Sequence, residues 1–220
     1  IIFKEKGYLE AINDADESTT LGIKLAVAVA MADGNLDEQE GFTIKNFIKD
    51  NIAFYDPDTQ NILKKMFNEA FKEAFNEAKN SKLSVNKMIS RLNEIGTKKL
   101  KYDAIELCYN VMSADGVADK SEIEILNRIA KDLNLNKNII DKIKDKSLLK
   151  LDSSKSSTTS DIESILSIKK NWSKEKINQH LKNEFKKWNS RYQNLSEGKE
   201  RENAQNMLNC IAEARKKYAE

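Results

Sequence analysis

The sequence is poor in the residues that interrupt helices. In 220 residues there is one proline and there are seven glycines, too few for the many tight turns of an all-β chain. Cysteine is as scarce. Cys108 and Cys210 lie far apart, neither with a second Cys or a His at metal-ligand spacing, which argues against a zinc site. Both thiols are expected to be small buried hydrophobes in a reducing compartment. The single histidine, His180, has no partner of a catalytic triad and reads as a helix-surface residue. The longest apolar run, Leu21 to Ala32, is interrupted by Lys24 and falls short of the roughly 20 residues that span a bilayer. No signal-peptide pattern is visible, so the chain is expected in the cytoplasm and off the membrane. It opens at Ile1 without a Met, which leaves an upstream anchor open. There is no Gly-rich phosphate loop, no nucleophile with a base at recognisable spacing and no His-rich metal set, so an enzyme is not expected.

What is present points to helices. Charged residues make up 33% and hydrophobic ones 40%, a balance that suits amphipathic helices with solvated faces. An almost wholly apolar helix is predicted from about Thr20 to Ala32 and should be central. Gly34 follows as a left-handed C-cap, and Asp37 as an N-cap with Glu40 three residues on. The next helix carries Phe42, Ile44, Phe47 and Ile48, and Pro57 opens a long one whose apolar residues recur from Ile62 to Phe75. A shorter helix spans Val85 to Ile95. The opening pattern then returns: an apolar helix over Ala104 to Ala114, a turn at Asp115-Gly116, and a helix carrying Ile123, Ile125, Leu126, Ile129 and Leu133. Ala32-Asp33-Gly34 with Asp37 and Glu40 matches Ala114-Asp115-Gly116 with Asp119 and Glu122, position for position. This is an internal duplication of a helix–turn–helix unit, and two copies predict one pseudo-symmetric all-α bundle.

The repeated acids have two readings. Asp33, Gly34, Leu36, Asp37 and Glu40 imitate the second half of an EF-hand loop, but the first and third ligand positions fall on Val29 and Met31, and on Val111 and Ser113 in the second copy. An EF-hand is therefore not expected. As helix-end chemistry, Asp37 and Asp119 cap N-termini, Glu40 and Glu122 complete capping boxes, and Asp33 and Asp115 close Asx-turns. As a metal site, Asp33, Asp37, Glu40, Asp115, Asp119 and Glu122 would converge and require calcium or another divalent cation. Both readings stand at this point.

The duplicated Ala-Asp-Gly-x-x-Asp-x-x-Glu between apolar helices resembles the TerB family of tellurite-resistance proteins, over roughly residues 1–150. The resemblance implies a compact all-helical bundle, no known catalytic activity, and a metal-linked role in stress or phage-defence assemblies. Ala118 stands where the first copy has Leu36, so the two turns need not behave alike.

Composition changes after Leu151. Residues 152–160 read as a Ser/Thr linker between a bundle over 1–151 and a small module over 161–220. The module is basic, with 13 Lys and Arg against 9 Asp and Glu, and three helices are predicted near 161–167, 173–193 and 198–219. Ile165-Leu166-Ser167-Ile168, the helix start at Ser173-Lys174-Glu175, and Leu208 to Ala214 resemble a J-domain, and the pairing with a TerB-like bundle resembles DjlA-type co-chaperones. Where that family carries His-Pro-Asp, this chain has Asn189-Ser190-Arg191, which puts stimulation of a DnaK-type chaperone in doubt. Lys182, Lys186, Lys187 and Arg191 are the residues expected to meet an acidic protein partner. Nucleic acid is not an expected partner, because the charge is modest and no base-reading motif is present. The expectation is an adaptor, with a divergent J-protein and a divalent-metal sensor as its rivals.

Overall fold

Apolar side chains on every face of a helix leave it no place except the centre. Helix α1 runs Tyr8–Ala30, and its second half, from Ile23 and from Leu25 through Ala30, is buried. Lys24 is tolerated in that stretch because its Nζ reaches Glu73 at 2.7 Å. In the computed structural model, residues 7–149, 159–169 and 171–219 are described, and among them there is no strand. After a single 3-10 turn at Met31–Asp33 come α2 (Glu38–Ile52), α3 (Pro57–Lys79), α4 (Val85–Ile95), α5 (Lys98–Met112), α6 (Lys120–Asp132) and α7 (Lys137–Leu148). Helices α3, α4 and α5 pack around α1.

The closest approach is between α1 and α5, the first helices of the two repeats. A Cβ placed on Gly22 would stand 3.1 Å from the Cβ of Ala104, so the pair meets where one helix has no side chain. The second helices then cross over, α2 packing on α5, and α6 on α1 and the turn that follows it. Each repeat completes the other, as the duplication predicts.

Three elements depart from the sequence reading, one of them α5, which begins at Lys98 rather than at Ala104. Helix α1 begins at Tyr8 rather than near Thr20, in a stretch without a strong apolar stripe. Glu17 accepts two 2.7 Å hydrogen bonds from Arg91 of α4, at Nε and Nη2, a tertiary contact that periodicity does not register. Helix α7 was not anticipated at all. Its buried face includes Asp145 and Ser147 beside Ile140 and Leu148, which obscures the apolar pattern.

Beyond α7 lie α8 (Thr159–Ile165), α9 (Lys174–Asn194) and α10 (Lys199–Ala219). Most of the expected linker, residues 152–158, lies outside the described residues. The long pair α9–α10 buries Ile177, Leu181 and Trp188 against Ala204, Met207 and Ile211, and α8 packs on α6. Buried side chains on both sides of the expected boundary belong to one contiguous cluster, so the module rests on the bundle. His180, expected on a helix surface, is half-buried, with Nε2 2.7 Å from the Leu166 carbonyl oxygen and its ring edge-on to Trp172. Cys108 and Cys210 are both buried, and burial pushes the Cys108 thiol up to about 12. No helix among the described residues is long and apolar enough to cross a membrane.

Replacing Gly22 with Leu forces α1 off α5. The expected cost is about 1–3 kcal/mol, the range for overpacking a close interface, read as a lower urea midpoint. An unchanged midpoint would show that the two helices are not locked at this point.

Candidate functional site

The two turns are built alike, atom for atom. In the first, Gly34 takes the left-handed conformation at φ 94°, and Asp33 Oδ1 accepts the Asn35 N–H at 2.8 Å. Asp37 Oδ1 accepts the Gln39 N–H at 2.7 Å, and Glu40 Oε2 accepts the Asp37 N–H at 2.8 Å. In the second, Gly116 has φ 83°, Asp115 Oδ1 accepts the Val117 N–H at 2.8 Å, and Glu122 Oε2 accepts the Asp119 N–H at 3.0 Å. Asp119 Oδ1 takes the Ser121 N–H at 2.7 Å and also the Ser121 hydroxyl at 2.5 Å, which holds its carboxyl below the ordinary range. These are the expected Asx-turns and capping boxes. They explain why an acid is tolerated at the end of α1 and of α5, where the helix dipole disfavours it.

Helix-end chemistry does not explain what happens behind the turns. The four aspartates are exposed, whereas Glu40 is 5% and Glu122 7% exposed. The two glutamates lie within hydrogen-bonding reach of each other, with Asp33 close enough to act on both through its charge and Asp115 on Glu40. The acidic turns therefore converge, with a pair of carboxyls beneath and the aspartates above. Burial raises both glutamates above the ordinary carboxyl range, and for Glu122 the neighbouring Glu40 adds to the rise. Two buried carboxylates this close are costly to ionise together without a counter-charge, which favours keeping a proton on the pair.

Either a proton or a cation can supply that counter-charge. The donors are all hard oxygens, the set that suits calcium, magnesium or manganese. Among the described residues, no three such side chains stand in a ready metal-holding arrangement, and each of the six carboxylates already gives one oxygen to a backbone amide. The preformed element is the glutamate pair, and a cation would have to draw Asp33 and Asp115 toward it.

The two copies differ in one instructive way. Leu36 of the first turn lies over Gly41 of α2, where an added Cβ would meet its Cδ2 at 3.9 Å. The corresponding residues of the second copy are Ala118 and Ile123, both buried. The bulk sits on the turn in one repeat and on the helix in the other, while the acids between keep their places.

The basic residues of α9 divide into two pairs. Lys182 and Lys186 are exposed. Lys187 Nζ lies 3.2 Å from Asp145 Oδ1, and Arg191 Nη2 2.6 Å from Asp145 Oδ2, so these two are engaged within the chain and are not open to a partner as expected. Asp145 was missed because nothing in the sequence distinguishes it from the exposed acids around it. Asn189-Ser190-Arg191 lies inside α9, which continues to Asn194, as the helix expected over 173–193 requires.

The shared proton sets a pH dependence. The unfolded glutamates ionise near 4.5, while the folded pair retains a proton above that. The folded state then binds more protons, and stability falls as pH rises from about 4.5 through the raised folded value. Glu122→Gln supplies a permanent donor to Glu40 and keeps the acceptor for Asp119. It is expected to flatten that fall and to raise stability at pH 8 by about 1 kcal/mol or more, roughly 2–4 °C in Tm for a chain of this size. Thermal melts of both proteins from pH 5 to 8 check this, and parallel curves would remove the shared proton.

Comparison with known proteins agrees with the duplicated turn. The family described as "Tellurite resistance protein TerB" matches residues 19–145, which takes in α2 to α6, most of α1 and α7, and both acidic turns. No curated protein and no solved structure matches the chain. The match stops short of α8–α10, so the likeness of that part to a J-domain rests on its motif residues alone. With more than half of its length matched, the chain belongs to the TerB family.

Proposed function

We propose that this TerB-family chain is a non-enzymatic adaptor of a stress response of the tellurite-resistance kind. One end would be the converged acidic turns and the other the exposed basic face of α9. The observation that carries the reading is the buried Glu40–Glu122 pair, because two repeats have been held together around a contact that is unfavourable when ionised. A carboxyl pair kept only for stability is readily replaced by apolar residues.

A divalent cation is the partner this pair suits. Glu40 and Glu122 would hold it, Asp33 and Asp115 would complete its shell, and Asp37 and Asp119 would remain helix caps. The cation supplies the positive charge that the shared proton now supplies. Binding therefore releases that proton and strengthens as pH rises. At the other end, Lys182 and Lys186 present positive charge to an acidic protein surface, whose approach they would steer.

Calcium or manganese at millimolar concentration is expected to raise Tm through linkage, and by more at pH 8 than at pH 6. Glu40→Gln combined with Glu122→Gln should abolish the shift. No shift with either ion at pH 8, or an equal shift in the double variant, would remove the cation from the proposal.

A further inference from the structure

Of the four α9 cations expected to meet an acidic partner, Lys187 and Arg191 are engaged within the chain, and the reason lies in the bundle. Asp145 on α7 is 5% exposed, yet both of its carboxylate oxygens are taken by α9, one by Lys187 and the other by Arg191. The Arg191 guanidinium lies 4.9 Å from the ring centroid of the fully buried Trp188, so the ion pair and the aromatic anchor form one stack. Glu184 of α9 pairs with Lys187 at 2.6 Å. Lys144 of α7 is close enough to feel Glu184, Lys187, Asp145 and Asp141, and its Nζ reaches the Ser167 hydroxyl at 2.5 Å. A third polar tie joins Asn203 Nδ2 of α10 to the Leu149 carbonyl at 2.9 Å.

The charges balance only while Asp145 is present. Asp145, Glu184 and Asp141 together offset Lys187, Arg191 and Lys144. Without Asp145, three cationic side chains would face two carboxylates at a half-buried seam, an arrangement that favours separation. Asp145 is thus an acidic group of the chain itself, seated on the residues that would meet an acidic partner. Lys182 and Lys186, about 140° from Lys187 and Arg191 around the same helix, remain exposed.

We infer that Asp145 is an internal competitor: it docks Lys187 and Arg191 onto the bundle and withholds these two cations from acidic protein segments. The inference deepens the adaptor reading and rests on it for the nature of the partner. A partner rich in Asp and Glu gains Lys187 and Arg191 only by displacing Asp145, so its affinity for the closed chain is lowered by the cost of undocking.

The experiment uses the full chain and a fluorescent poly-glutamate 15-mer as the acidic probe. Asp145→Asn is expected to bind the probe about five- to tenfold more tightly than the wild type, the lower part of the usual coupling range. Amide hydrogen exchange around 187–191 should accelerate in the same variant. Adding Lys187→Gln and Arg191→Gln should remove the gain in affinity. The charge-swapped chain, Asp145→Arg with Arg191→Asp, keeps the neutralising pair and should return exchange and affinity toward wild type, which separates undocking from general misfolding. Unchanged probe affinity and unchanged exchange in Asp145→Asn would overturn the inference. The adaptor reading fails on a different result: no binding by the wild type, or wild-type binding indifferent to Lys182→Gln with Lys186→Gln. A gain in Asp145→Asn would sustain the internal competitor even then.

Discussion

Glu40 and Glu122 meet because α1 and α5 do. Two helices lie this close only where a side chain is missing, and Gly22 against Ala104 is that place. The contact sets the distance between the repeats, and each repeat then lays its second helix on the first helix of the other. From there the acidic turns have no freedom to separate. Their capping boxes fix Glu40 and Glu122 by the backbone, and the crossing of the helices brings the carboxyls together. An unfavourable contact is thus held by favourable apolar packing around it, the arrangement expected where a group is kept for what it binds.

The chain meets the problem of a buried carboxylate in two ways. Behind the turns, a proton is shared between like groups. At the seam between α7 and α9, cations come to Asp145 from the partner helix. The first solution leaves a position that a metal ion can take over, and the second leaves one that another anion can take over. Both are set by what neutralises a charge out of water.

Much of this fold can be read from residue spacing. Repetition of Ala-Asp-Gly-x-x-Asp-x-x-Glu revealed the duplication, the caps and the Asx-turns, because these are local features written in consecutive residues. The helix ends at Ile95, Asp132 and Ala219 fell within a residue or two of expectation for the same reason. What escaped depends on contacts between distant residues. The start of α1 is supported by Arg91, which is 74 residues from Glu17, and α7 is buried through a serine that reaches the Tyr109 carbonyl and the Ser113 hydroxyl. Convergence of the turns could not be read either, since no spacing along the chain reports the angle at which α1 crosses α5. Phe42, well exposed at 59%, shows the reverse limit: an apolar residue among those of a core-facing helix need not join the buried stripe.

The exchange of Leu36 and Gly41 for Ala118 and Ile123 bears on how the two halves can change over time. In a homodimer built from one such hairpin, every substitution would appear twice, and a bulky residue at the turn could not be traded for one on the helix on a single side. Joined in one chain, each half answers to its own neighbours. The site also persists at any dilution, because its halves never have to find each other. A transplanted turn would carry the wrong volume for its new helix, so the repeats are equal in their acids and no longer interchangeable in their bulk.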